Sequence, residues 1–165
     1  MKTLWAPWRM KYIIEAKEDE SEGCIFCKIL AEKNNRKNLI VYKADHCFVM
    51  LNKYPYNNGH LMIIPYVHVS DPLLLDDNTL LDVQHTINIS ILSLRQTMEP
   101  HGLNIGMNLG RTAGAGIEDH IHWHLVPRWN GDTNFMPVIS ETKVLSEALE
   151  NTWSKLNKAF KNLEK

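Results

Sequence analysis

The sequence predicts an α+β domain. Short apolar runs gather into a strand group between residues 39 and 65. Two longer stretches carry apolar residues at three- and four-residue steps, one among the strands and one after them, and nothing alternates regularly as a parallel fold would require. With 165 residues and 44% hydrophobic content, the chain is long enough for one well-buried core and short for two. Residues 1–165 are therefore read as one domain, with an N-terminal arm over 1–15, a core over 24–138 and a C-terminal helix over 141–163.

Residues 1–15 are aromatic and mixed in charge without a clean period, and 17–23 form an acidic, polar linker. Cys24 to Ala31 reads as a short helix, followed by a solvated turn to Lys37. Leu39–Lys43 and Cys47–Leu51 read as two short strands across a turn at Ala44-Asp45. The loop Asn52–Gly59 holds one Pro, one Gly and three Asn residues and leads into a strand over His60–Pro65. Asn52 and His60 thus bracket a loop whose ends return to neighbouring strands, a usual place for a ligand pocket.

Asp76 to Asn78 offer N-caps for a helix that runs to about Met98, with Leu80, Val83, Ile87, Ile91, Leu94 and Met98 on one stripe. Pro100 and Gly102 stop it, and His85 falls off the stripe towards solvent. Leu103–Asn108 is the next strand, and Gly110–Gly116 is a glycine-rich loop. The final helix, Glu141 to Leu163, carries Leu145, Leu149, Trp153, Leu156 and Phe160 on one face.

The formal net charge of −1 and the lack of a dense basic run before residue 155 argue against a nucleic-acid-coating protein. No apolar run reaches the length of a membrane span and no signal-peptide core opens the chain, so a cytoplasmic protein is expected. Three cysteines do not make an extracellular framework. The pair Cys24-Ile25-Phe26-Cys27 is then a metal half-site or a redox pair, and the charged loop before it fits a thioredoxin-like start poorly. Cys47 reads as an ordinary buried strand residue.

Three of the eight histidines stand at a spacing of two in Asp119-His120-Ile121-His122-Trp123-His124-Leu125-Val126-Pro127-Arg128. That alternation predicts a strand with an imidazole face and a core face, ended by Pro127. A solvated strand face could carry such histidines, and three imidazoles could hold a zinc ion. A neutral imidazole can also attack phosphorus without first losing a proton, giving a covalent phosphoramidate.

His120, His122 and His124, followed by Leu125, Val126 and Pro-Arg, resemble the motif of the histidine triad (HIT) family of nucleotidyl hydrolases and transferases. Pro55-Tyr56-Asn57-Asn58-Gly59-His60, with Asn52 and Asn108, extends the resemblance over most of the chain. Leu4 to Met10 and Pro127 to Phe135 are similar to the branch containing diadenosine tetraphosphate phosphorylases. The resemblance implies the HIT fold, an antiparallel sheet flanked by helices, usually a two-fold homodimer. It also implies cleavage of nucleoside or dinucleoside polyphosphates at the α-phosphorus. His122 would be the nucleophile, and His124 would contact the scissile phosphate and help protonate the leaving group.

The alternative is a nucleotide-binding regulatory protein with little turnover. Donors to the phosphoryl oxygens would be His60, Asn108 and the N–H groups of the loop holding Gly114, Ala115 and Gly116. Gly-Gln or Gly-Gly-Ser is usual in that loop, so the second-step acceptor, water or phosphate, stays open. Asn52 would bind the ribose or initiate a turn, and Trp129 would stack on a base or pack on a dimer partner. Relatives with a Cys-x-x-Cys element nominate Cys24, Cys27, His68 and His120 as ligands of a structural Zn2+. The aromatic arm and Trp153 add apolar surface that supports the homodimer.

Overall fold

The structure, a computed structural model, describes residues 23–132 and 147–163. The expected arm over 1–15, residues 133–138 of the expected core and residues 141–146 of the expected final helix lie outside the described residues. Helix α1 covers Ile25–Ala31, α2 Asp77–Met98 and α3 Leu149–Leu163; strands β1 to β5 cover Ile40–Lys43, Cys47–Leu51, Leu61–Pro65, Gly102–Met107 and Trp123–Arg128. All pairings are antiparallel, in the order β1-β2-β3-β5-β4.

The period-two pattern sorts side chains to two faces. Cys47, Val49 and Leu51 of β2, Leu61 and Ile63 of β3, and Trp123 and Leu125 of β5 share one core with Val83, Ile87 and Leu94 of α2 and Leu156 and Phe160 of α3. The intervening Phe48, Met50, Met62 and Ile64 join Phe26 of α1 in a second core on the opposite face. The register Met62↔His124 places His124 on this second face.

Several boundaries differ from expectation for local reasons. Leu39 takes a left-handed backbone, φ 57°, so β1 starts at Ile40. His60 lies just before β3, its carbonyl accepting from the Asn52 N–H at 2.9 Å. In α2, Asp76 caps Thr79 N at 2.7 Å as expected. The buried face of α2 is built from Thr79, Val83, Thr86, Ile87, Ser90, Ser93 and Leu94, with Leu80 left 37% exposed. Small hydroxyl residues there allow close approach to the sheet, which an apolar stripe alone did not reveal. Pro127 lies inside β5: β3 pairs with β5 only from Trp123 to Leu125, so at Pro127 the strand has a neighbour on the β4 side alone and tolerates the missing N–H.

The final helix begins at Leu149, after Glu147 and Ala148, rather than at Glu141. It covers the β1 edge, where Trp153 Nε1 donates to Ile40 O at 2.9 Å and Asn157 Nδ2 to Val41 O at 3.0 Å. Trp153 packs against the first core.

Candidate active site and metal centre

Only the C-terminal half of the histidine motif is regular strand. His120 and His122 precede β5, and the main chain there is held instead by Ile121 N–H donating to Val69 O at 2.7 Å. The alternation of faces survives nevertheless, because Ile121 enters the first core while the rings of His120 and His122 meet the Phe26 ring edge-on, at 5.4 and 5.2 Å between centroids.

Hydrogen-bond partners assign each ring a tautomer, since a carbonyl only accepts and a backbone N–H only donates. His120 Nε2 lies 2.9 Å from Pro65 O and so carries its proton there, which leaves the Nδ1 lone pair for another partner. His122 Nδ1 lies 2.9 Å from His120 O, so Nδ1–H is the donor and Nε2 keeps a lone pair. His60 Nδ1 accepts from Tyr56 N–H at 3.0 Å, and its Nε2–H therefore donates to His124 Nδ1, also at 3.0 Å. His124 in turn keeps its proton on Nε2. Two adjacent rings, 4.8 Å apart between centroids, thus carry opposite functions: a lone pair on His122 and an N–H on His124.

Burial pushes the His120 and His122 imidazoles below their ordinary range and brings His124 down to about 4, with neighbouring His122 adding to the last shift. All three are neutral near pH 7. The folded chain consequently binds fewer protons than the unfolded one between the ordinary His124 value of 6.5 and about 4. Stability is therefore expected to fall as pH drops through that window, by about 3 kcal/mol at most from this group, and to be indifferent to it above. Urea unfolding at about pH 7 and about pH 4.5 should show a smaller acid loss in His124→Asn than in the parent. Equal losses would clear His124 as the source.

Cys24, Cys27, His68 and His120 converge, with their ligand atoms all within 4.8 Å of one another. Cys24 Sγ lies 3.3 Å from His120 Nδ1, Cys27 Sγ 3.6 Å from His68 Nδ1 and 3.7 Å from His120 Nδ1, and the two Nδ1 atoms are 3.2 Å apart. A tetrahedral zinc with ordinary bond lengths separates sulfur from nitrogen by about 3.5 Å and two nitrogens by about 3.3 Å. The donor set fits. Burial, then the adjacent Cys24, pushes the Cys27 thiol up, a cost that a bound cation would reverse.

The other expected site residues fall less simply. His60 is fully buried, with Nδ1 accepting from Tyr56 N–H and Nε2–H donating to His124 Nδ1, so in this structure it holds His124. Asn52 Oδ1 accepts from Tyr54 N–H at 2.9 Å, the turn-forming alternative. Asn108 Nδ2 donates to Gly114 O at 3.4 Å and ties the glycine loop to the end of β4. The N–H groups of Gly114 and Ala115 are bound within that loop by Arg111 O and Gly110 O. Trp129 donates from Nε1 to Met98 O at 3.3 Å and so closes the C-terminus of α2.

Sequence reading missed a polar cluster beside the triad. Asp132 receives Arg128 through two bonds, Nε to Oδ2 at 2.7 Å and a terminal nitrogen to Oδ1 at 2.9 Å, as well as Asn57 Nδ2 at 2.8 Å and Trp129 N–H at 3.2 Å. The Arg128 guanidinium, first of these, brings the Asp132 carboxyl down to about 2. Opposite charges four residues apart were the available signal; nothing local in the sequence pointed to Asn57.

Residues 33–131 match the model of the HIT domain. The chain is 36% identical over 157 residues to the AP-4-A phosphorylase of Mycobacterium tuberculosis, covering 92% of this chain and 80% of that protein. Among solved structures it is similar to a Zn-bound histidine triad family protein from Mycobacterium smegmatis, with a TM-score of 0.69 and 25% identity over 87% of this chain and 97% of that one. A histidine triad nucleotide-binding protein from Sulfolobus tokodaii gives a TM-score of 0.68 and 28% identity, covering 86% and 94%.

Proposed function

Because the chain belongs to the HIT domain family, we propose that it cleaves dinucleoside polyphosphates or related nucleotides at the α-phosphorus, through a covalent nucleotidyl group on His122. The observation that carries this reading is the opposite locking of His122 and His124. The lone pair on His122 Nε2 attacks phosphorus while the bond from phosphorus to the bridging oxygen breaks. The positive charge that arises on the substituted ring is stabilised by His120 O, which accepts from Nδ1–H.

His124 Nε2–H faces the role of donor to the departing oxygen. A neutral imidazole gives a hydrogen bond more readily than its only N–H proton, and a polyphosphate leaving group departs as an anion, so hydrogen bonding replaces the protonation first expected. In the second step water or phosphate displaces His122, restoring the neutral ring. Phosphate as acceptor is favoured by the relative named AP-4-A phosphorylase.

The metal centre belongs to the same proposal. Cys24, Cys27, His68 and His120 would hold one Zn2+ in a structural role, as the Zn-bound relative supports. When bound, the ion supplies a rigid crosslink between α1, the segment after β3 and the start of the triad, and no chemistry at phosphorus. A cytoplasmic setting, where the thiols stay reduced, fits that role; no helix among the described residues is long and apolar enough to cross a membrane.

The test is turnover of diadenosine tetraphosphate with and without inorganic phosphate. Release of a nucleoside diphosphate only when phosphate is present is the expected result. Release of the mononucleotide without phosphate would identify a hydrolase, and tight binding with no turnover would overturn the enzyme reading. Homodimerisation is also proposed, through β4, an edge strand with Ile105 46% exposed and Leu109 beyond it equally so. Light scattering at micromolar concentration should give twice the chain mass of 19.1 kDa; a monomer mass would sink the dimer.

A further inference from the structure

We infer that Asp132 is a positioning residue for the His60–His124 pair, acting through Asn57. The inference rests on the function proposed above for His124. Its geometry stands independently of that function.

Asp132 and His60 are far apart in sequence, and the path between them is continuous. The Asp132 carboxylate is fixed from one side by the two bonds of Arg128, and its own side chain is only 9% exposed. From the other side it accepts from Asn57 Nδ2, which is shared with Pro127 O at 3.1 Å. An amide whose donors both face β5 and its continuation has a single orientation, so its Oδ1 is aimed at Asn58 N–H, 3.0 Å away. The Asn57 main chain then meets the histidine directly: His60 N–H donates to Asn57 O at 3.2 Å.

This closes a tight turn over residues 57–60, and the turn leaves no slack. Gly59 has φ 73°, and a Cβ there would stand 2.5 Å from the Met98 sulfur. The preceding Tyr56 supplies the N–H that holds His60 Nδ1 and lays its ring on His60 with centroids 4.8 Å apart. The carboxylate therefore helps to fix where the turn sits together with Pro127 O, the turn presents the Tyr56 N–H that binds His60 Nδ1, and His60 determines which His124 nitrogen keeps a proton. Without Asp132, Arg128 keeps Asn104 Oδ1 at 3.1 Å as its side-chain partner among the described residues, and Asn57 loses the shorter of its two Nδ2 contacts, leaving Pro127 O and Asn58 N–H as its remaining partners.

A side chain that sets the orientation of a reacting group typically changes activity by about 10- to 100-fold. In Asp132→Ala, kcat on a dinucleoside polyphosphate should fall by that factor with little change in KM, and Asp132→Asn, which keeps one acceptor for Asn57, should recover part of it. The decisive readout needs no substrate. Imidazole nitrogen NMR of the full-length chain should show His124 as one tautomer, protonated on Nε2, in the parent and as a mixture in Asp132→Ala, with His122 unchanged.

A folded Asp132→Ala protein whose His60 and His124 signals match the parent would overturn the inference, whatever its turnover. Should Asp132→Ala not fold, Asn57→Ala cuts the same path from the other end and is read by the same criterion. A parent chain without turnover whose His124 signal still responds to Asp132→Ala would overturn the proposed function and leave the positioning role standing.

Discussion

His122→Ala is expected to abolish the covalent nucleotidyl adduct and to lower turnover by at least about 10⁴-fold. The size of the effect follows from the geometry. His122 is the one triad ring whose Nδ1–H is bound by a main-chain carbonyl, so its Nε2 is the only triad nitrogen offered as a lone pair outside the metal cluster. His124 cannot substitute for it, because its own lone pair is occupied by His60. The adduct should be seen as a mass increase of one nucleotidyl group in acid-free quench, present in the parent and missing in the variant.

His124→Ala should behave differently. It retains the nucleophile and should still form adduct, slowly, so that accumulation rather than its absence distinguishes the two roles. Adduct of undiminished yield in His122→Ala would move the nucleophile elsewhere and end the proposed mechanism.

Removing the metal centre is the second large effect. The parent purified without a polyhistidine tag should contain close to one zinc per chain, and Cys24→Ser should lose it. A cation held at about 1,000 times its dissociation constant stabilises a fold by about 4 kcal/mol. For a chain of this size that corresponds to a fall of about 10 °C in Tm.

The loss should also reach the active site. His120 donates its Nδ1 to the metal cluster while its own carbonyl holds His122, so a displaced His120 carries the nucleophile with it. Stoichiometric zinc retained in a Cys24→Ser/Cys27→Ser double variant would place the metal on the triad instead and overturn the structural assignment.

The two effects were legible in the sequence to different depths. The spacing of His120, His122 and His124 announced an imidazole face because strand geometry fixes alternate side chains to one side, and that face is present even where the regular strand is not. The pair Cys24 and Cys27 announced half a metal site. Its completion by His68 and His120 came from resemblance, and the structure brings the four residues together. The α2 N-cap and the limits of β2 were readable because capping and alternation are local.

What the local sequence could not decide were choices made by distant partners. The Asn52 bond to Tyr54 N–H and the Trp129 bond to the end of α2 both depend on partners that the local pattern does not specify. The complete burial of His60 and its bond to His124 Nδ1 likewise come from distant segments, which its place at the end of a loop does not reveal.

By itself, then, the sequence determined the residue types, their alternation along each strand and the short-range caps, all of which follow from the periodicity of a single segment. Only the tertiary structure decided which nitrogen of each imidazole carries a proton. That depends on a carbonyl at Pro65, a carbonyl at His120 and an N–H at Tyr56, and a hydrogen-bond partner is chosen by proximity in space, which a one-dimensional pattern does not encode.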